Sequence, residues 1–199
     1  MGDMTDMTIG YYNKNAADFA ASTAGVDLSA QYAAFLQYLR PGDSILDLGC
    51  GSGRDSKFFL EHGYRVEAID GSSELCAIAS EYIKQPVRHL LFQDLDYINA
   101  FEAVWACSSL LHVEKNSLPT ILAKIGDALK PNGILYASFK YGTFSGERNG
   151  RYFLDLTENG LNELAENSKV FHVQKASISH DARPDRSNEK WLNAFLVKR

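Results

Sequence analysis

Two rhythms of apolar residues alternate along the chain. Leu28, Tyr32, Phe35, Leu36 and Leu39 recur at helical spacing, and Pro41-Gly42 ends that segment. A largely apolar run over residues 45–48, broken by Asp47, follows and stops at three glycines, Gly49, Gly51 and Gly53. Phe58, Phe59 and Leu60 restart the helical pattern, and Gly63 closes it. Residues 65–70 read as a second strand. A helix from about Glu74 to Tyr82 carries Leu75, Ile78 and Ala79 inward, with Ser72 and Ser73 placed to cap it.

After Pro86, residues 87–92 read as a third strand and 101–107 as a fourth. Leu118, Leu122, Ile125 and Leu129 mark a helix, opened by Ser117-Leu118-Pro119 and stopped by Pro131-Asn132-Gly133. Residues 134–139 make a fifth strand. Residues 141–151 read as a loop rich in glycine, serine and charge. A short helix around Leu161 and Leu164, a strand at 170–173, a polar turn at 180–188 and a strand at 190–197 complete the chain. That last strand is apolar on both faces, so it is expected between two neighbours. Strands alternating with helices predict an α/β, doubly wound sheet with helices on both faces.

Bulk properties narrow the picture. The 199 residues suit one domain, with 1–40 as a helical or lid segment and 41–199 as the core. A formal net charge of −5 gives no electrostatic reason to expect nucleic acid or an anionic membrane as partner. Cys50, Cys76 and Cys107 cannot all pair, and none has a C-x-x-C neighbour, so a reducing compartment is expected and a metal is not. Residues 1–8 are acidic and polar, unlike a signal peptide, and no apolar run approaches membrane-spanning length. The expectation is a cytoplasmic protein, monomer or dimer.

Chemistry concentrates at the glycines. Strand, tight turn and helix start bring backbone N–H groups toward a ligand. The dinucleotide fingerprint is G-x-G-x-x-G, but here the order is G-x-G-x-G and Arg54 stands where the third glycine would be. Asp47, two residues before Gly49, would repel a pyrophosphate; it can hold an ammonium group or brace the turn. Asp70 ends the second strand, placed for ribose hydroxyls or, alternatively, for capping the next helix. Arg54 is unfavourable in a helix's first turn unless it meets an anion, whereas Asp55 suits the helix dipole.

The stretch Ile45-Leu46-Asp47-Leu48-Gly49-Cys50-Gly51-Ser52-Gly53 resembles motif I of the class I S-adenosylmethionine-dependent methyltransferases. Phe101-Glu102-Ala103-Val104 resembles their motif IV, with Glu102 in place of an aspartate. The Gly-Ser-Gly-Arg-Asp-Ser turn and compact length are similar to the tellurite-resistance methyltransferase group. The resemblance implies a Rossmann-like, seven-stranded, mostly parallel sheet whose last strand is antiparallel, and S-adenosylmethionine as cofactor. It implies cofactor contacts at Tyr12, Asp47, Gly49, Cys50, Gly51, Gly53, Arg54, Asp70, Gly71, Ser72, Asp94, Leu95, Ala106 and Cys107. Within that scheme Asp94 receives the adenine amino group, and Ser108 to His112 lie near the reacting methyl. His112 is read as base or substrate contact, or as a packed loop histidine. Tyr11, Lys140, Arg148 and Arg151 are candidates for binding a small-molecule, anionic acceptor, or are solvated loop charges. Residues 11–19 form either a lid over the cofactor or a helix on the sheet edge. With the glycine-rich loop they are expected to be mobile in the free protein, being too short to hold a helix unaided. A nicotinamide oxidoreductase and a non-catalytic cofactor-binding module stand as alternatives; Asp47 and the missing third glycine argue against the former.

Overall fold

The computed structural model describes residues 4–183 and 186–199. Residues 1–3 of the polar opening, and Pro184 and Asp185 of the polar turn, lie outside the described residues. Helices α1 (Met4–Lys14), α2 (Ala16–Thr23) and α3 (Ser29–Leu36) precede strand β1 (Ser44–Leu48). Then follow α4 (Arg54–Glu61), β2 (Arg65–Asp70), α5 (Ser73–Ile83), β3 (Arg88–His89), β4 (Phe101–Ala106), α6 (Leu118–Ala128) and β5 (Leu129–Lys140). A hairpin of β6 (Ser145–Arg148) and β7 (Arg151–Leu154), helix α7 (Glu158–Ser168), and strands β8 (Phe171–His180) and β9 (Lys190–Lys198) complete it.

The main sheet has seven strands in the order β3-β2-β1-β4-β5-β9-β8. The pairs from β3 through β5 are parallel, while β9 runs antiparallel to both β5 and β8. The doubly apolar last strand therefore lies between two neighbours, as its composition requires. Alternation along each strand divides the core. On one face Leu46, Leu48, Val104, Leu135 and Phe139 meet α6 and α7 through Leu122, Ile125 and Leu161. On the other, Ile45, Trp105, Tyr136 and Phe195 meet Tyr32 and Phe35 of α3 and Phe59 of α4. Trp105 stacks on Tyr136 with ring centres 4.0 Å apart.

Strand order reverses between β1 and β4, and the C-terminal ends of a parallel sheet leave a crevice at that point. Gly49 follows β1 there, and Ser108 and Ser109 follow β4. The opposite end is tied differently. Glu102, at the start of β4, accepts from the Ser44 amide (2.7 Å) and pairs with Lys130. Its motif position thus serves the strand register and lies away from the crevice.

Three elements depart from the sequence expectation. The third strand pairs only at Arg88 and His89, because the chain leaves the sheet and coils into a short 3-10 turn at Phe92–Asp94. The segment read as a glycine-rich loop is largely the β6–β7 hairpin, reversed at Asn149 (φ 54°) and Gly150 (φ 76°). Two successive left-handed residues are what the twist of a two-residue hairpin demands, and Asn-Gly supplies them at low cost. Residues 11–19, expected to be too short to hold a helix unaided, belong to two helices, the end of α1 and the start of α2, and α1 is tied down where Thr8 Oγ1 accepts from the Tyr152 amide of β7 (3.0 Å).

Candidate functional site

A cavity of about 720 Å³ runs along the crevice. One end is bounded by the glycine turn (Gly49, Cys50, Gly51, Ser52), Asp70 and Gly71, with Ile9, Tyr12 and Phe19 from α1 and α2 closing it. The other is bounded by Tyr136, Ser138 and Lys140 of β5, Arg151 and Phe153 of β7, and Trp191 and Asn193 of β9. Of the two readings of residues 11–19, the geometry favours a segment lying over the crevice. A Cβ on Gly71 would stand 2.5 Å from Ile9 Cδ1, and one on Gly51 3.1 Å from Phe19. The turn must be glycine for α1 and α2 to sit this close.

The turn's amides are used internally. The N–H groups of Gly49 and Cys50 donate to the Ile69 carbonyl, and that of Gly53 to the Cys50 carbonyl. Asp70 takes one more amide from the turn and one from the start of α5: Gly51 N–H donates to Oδ2 and Ser72 N–H to Oδ1, each at 2.8 Å. Burial pushes the Asp70 carboxyl above its usual range, against those two hydrogen bonds and the nearby His89. A carboxylate accepts at about four lone-pair positions, so each oxygen keeps capacity for another donor. Beside the start of α4, where N-cap Gly53 supplies no side-chain cap, the turn thus also presents a carboxylate.

Beneath the turn lie two more acids. Asp47 is buried, and Ser56 Oγ–H donates to its Oδ2 (2.6 Å). Burial, and then Asp55 nearby, lift its carboxyl to about 8. Asp55 is a hub. Tyr32 O–H donates to Oδ1 (2.5 Å), Trp105 Nε1–H to Oδ2 (2.8 Å), and Arg54 forks across both oxygens (2.6 and 3.0 Å). Burial works against its charge, but Arg54 and the two ring donors outweigh burial and hold it low.

Across the crevice, Ser109 Oγ is buried without a hydrogen-bond partner, 3.3 Å from where a Gly49 Cβ would stand. Cys107 lines the cavity with its thiol pushed up to about 12 by burial and by Asp55, so it stays a neutral wall. His112 sits in the short 3-10 turn after β4. Its Nδ1–H donates to the Tyr152 carbonyl (2.6 Å); the lone pair on Nε2 faces Tyr12 O–H (2.9 Å). Burial first, and Arg151 second, lower the imidazole to about 4, so it is neutral near pH 7.

Residues 45–133 match a family model described as a methyltransferase domain. That match covers less than half of the chain, and over it the chain is similar to methyltransferase domains. Malonyl-[acyl-carrier protein] O-methyltransferase from Serratia marcescens is 32% identical over 131 residues, 59% of this chain and 51% of the relative. The chain thus spans about half the length of that curated relative. Among solved structures, 1,6-didemethyltoxoflavin-N1-methyltransferase from Burkholderia thailandensis, with bound 1,6-didemethyltoxoflavin and S-adenosylhomocysteine, superposes with TM-score 0.77. It is 23% identical and covers 98% of this chain and 86% of its own. A TehB-like S-adenosylmethionine-dependent methyltransferase from Corynebacterium glutamicum gives TM-score 0.67 at 18% identity, covering 96% and 98%. At these identities the two structures speak for the fold.

Of the residues expected to bind cofactor or acceptor, the cavity brings together Tyr12, Gly49, Cys50, Gly51, Arg54, Asp70, Gly71, Cys107, His112, Lys140 and Arg151. Others stand elsewhere. Asp47 lies below the turn. Gly53 is left-handed (φ 82°), and a Cβ on it would press 2.9 Å from Ile83, so its task is helix packing. Ser72 caps α5, accepting from the Leu75 amide (3.2 Å). Ala106 belongs to the core. Asp94 is exposed and Leu95 buried in the core, because the 3-10 turn presents Leu91, Phe92 and Gln93 to the cavity instead. Arg148 faces back into its hairpin, bonded to Asp155 (2.9 Å) and lying over Phe144. Tyr11 does not line the cavity but stacks on Arg151.

Sequence reasoning missed Gln93 and the hub role of Asp55, and it placed Ser109 in the loop near the methyl without its unpartnered hydroxyl. Asp55's partners Tyr32 and Trp105 lie 23 and 50 residues away, and no local pattern announces such a meeting. Among the described residues no cluster of His, Cys, Asp or Glu could hold a metal ion, and no helix is long and apolar enough to cross a membrane.

The site suits S-adenosylmethionine. The cofactor is cationic at sulfur and amine and carries a ribose diol. Asp70's spare acceptor positions suit the diol, and the unpartnered Ser109 hydroxyl suits a further polar group.

Proposed function

We propose that the protein transfers a methyl group from S-adenosylmethionine to a small-molecule acceptor, with the cofactor at the glycine-turn end of the cavity. The observation carrying this reading is Asp70, which braces the turn through the Gly51 and Ser72 amides and keeps acceptor positions for a ribose diol. Tyr12, Gly49, Cys50, Gly51, Gly71 and Cys107 wall the cofactor, and Arg54 lies beside it already neutralised by Asp55.

The sulfonium methyl is already activated for displacement, so the protein's main task is to align and to exclude water. Tyr12 and Phe19 cover the crevice for the second purpose. His112 is the candidate base. Its Nδ1–H is fixed on the Tyr152 carbonyl, which commits the lone pair to Nε2. An acceptor hydroxyl or amine that displaces Tyr12 from Nε2 can pass its proton there as the nucleophile is alkylated. The lowered imidazole keeps that lone pair available near pH 7.

The test is calorimetry with S-adenosylhomocysteine on the parent and on Asp70→Asn. Charge-assisted hydrogen bonds contribute about 1.5–3 kcal/mol each, so the variant should bind at least tenfold more weakly while keeping its circular dichroism. Unchanged affinity would take Asp70 off the ribose.

A further inference from the structure

Arg151 differs from Arg54, Lys140 and Arg183, which also line the cavity. Arg54 is matched by Asp55, Lys140 by Glu189 and Arg183 by Asp181. Among the described residues no carboxylate pairs with Arg151. Its Nε is buried with no hydrogen-bond partner. Its guanidinium is instead boxed by rings: its carbon stands 4.3 Å from the centre of Tyr11, 5.1 Å from Phe153 and 5.7 Å from Tyr12. One long contact of 3.5 Å reaches the Tyr12 hydroxyl.

A half-buried cation held this way is incompletely satisfied. Ring faces attract it, at about 0.5–2 kcal/mol each, but they supply no acceptor for its N–H groups. An anion with two acceptor atoms in one plane matches the guanidinium fork better than a round or neutral group does. The rings also keep water from competing for the charge.

We propose that Arg151 is a carboxylate-binding subsite and that the carboxylate belongs to the methyl acceptor. The proposal rests on the methyl-transfer reading above and specifies its substrate class. Two features assign the carboxylate to the acceptor. Arg151 is on β7, next in sequence to Tyr152, whose carbonyl orients His112; it also touches Tyr12, which faces His112 Nε2. A molecule anchored there therefore has its remaining atoms beside the candidate base. Asp70 lines the glycine-turn part of the cavity, while Asp55 there is already matched by Arg54, so among the described residues no unpaired cation competes there with Arg151 for an anionic acceptor. There is a further consequence for His112. Arg151 is one of the two causes that lower its imidazole; an anion on Arg151 cancels that field and strengthens the base only when substrate is present.

The experiment titrates paired probes, acetate against acetamide and benzoate against benzamide, into the parent and Arg151→Gln by calorimetry, with and without saturating S-adenosylhomocysteine. At least one carboxylate should bind the parent tenfold or more tightly than its amide. Arg151→Gln should erase that preference and change S-adenosylhomocysteine affinity by less than twofold. Equal binding of acid and amide in both pairs, or a preference that survives Arg151→Gln, overturns the subsite. A tenfold loss of S-adenosylhomocysteine affinity in Arg151→Gln overturns the assignment to the acceptor, because the carboxylate is then the cofactor's own. If S-adenosylhomocysteine does not bind the parent at all, the methyl-transfer reading fails by itself, while the acid–amide comparison still decides the subsite. Melting curves on Arg151→Lys, which keeps the charge and loses the planar fork, separate this from misfolding: a folded Lys variant with partial acid preference agrees with the proposal.

Discussion

Asp47, Asp55 and Asp70 stand around one glycine turn and meet three different fates. Asp55 is charged because Arg54, Tyr32 and Trp105 all donate or attract; Asp70 is tempered by two amides; Asp47 has only Ser56. Asp47 therefore resists ionisation in the folded chain, its carboxyl raised to about 8 against an ordinary value near 4. A carboxyl raised on folding adds stability below its unfolded value, and that contribution is lost as pH rises through the folded one. Asp47→Asn should thus gain stability relative to the parent progressively from about pH 4 to about pH 8, by up to ~1.4 kcal/mol per pH unit, and level off above. Denaturant melts at several pH values check this; a difference independent of pH would mean that Asp47 is ionised throughout. At this scale the sequence was a partial guide. Gly49, Gly51 and Asp70 were legible because their task is backbone geometry and strand position, both local. Asp55 and Ser109 were not, because each acquires its meaning from residues that only the sheet brings near.

Among the elements, the β6–β7 hairpin decides most. It carries Arg151 into the cavity, supplies the Tyr152 carbonyl to His112, and is joined to α1 through Thr8. Its legibility turned on two letters, Asn149-Gly150, set among glycines and charges that otherwise read as a loop; the apolar run Tyr152, Phe153, Leu154 is buried and anchors it. The third strand was overread for the converse reason. The apolar stretch Leu90 to Phe92 continues the pattern, but the chain leaves the sheet after His89 and packs those side chains against the core from a turn. Gly150→Val tests the hairpin. A β-branched residue at φ 76° is strained, and its Cβ would stand 3.3 Å from Tyr11. The variant should lose roughly 1–3 kcal/mol and show faster amide exchange at Tyr152, whose N–H donates to Thr8. Unchanged exchange at Tyr152 would mean that the Asn-Gly turn does not hold the hairpin.

The whole molecule places its crevice where strand order reverses, walls one end with acids and glycines, and sets an unmatched guanidinium among rings toward the other. The fold class and the inserted antiparallel strand followed from the alternation of strands and helices with the motif I resemblance; the full strand order and the make-up of the cavity did not, since they depend on how the strands pair and on β7, β9 and α1 converging. The central claim is that the glycine-turn end is built for a cationic, ribose-bearing cofactor and not for a pyrophosphate. Thermal unfolding in S-adenosylmethionine, S-adenosylhomocysteine, NAD and NADP tests it directly. A ligand at a hundred times its dissociation constant adds about 2.7 kcal/mol, which raises the melting temperature of a chain this size by about 5–10 °C. S-adenosylmethionine and S-adenosylhomocysteine should each produce such a rise and the two nicotinamide dinucleotides none. A rise with NAD or NADP and none with S-adenosylmethionine would contradict the account.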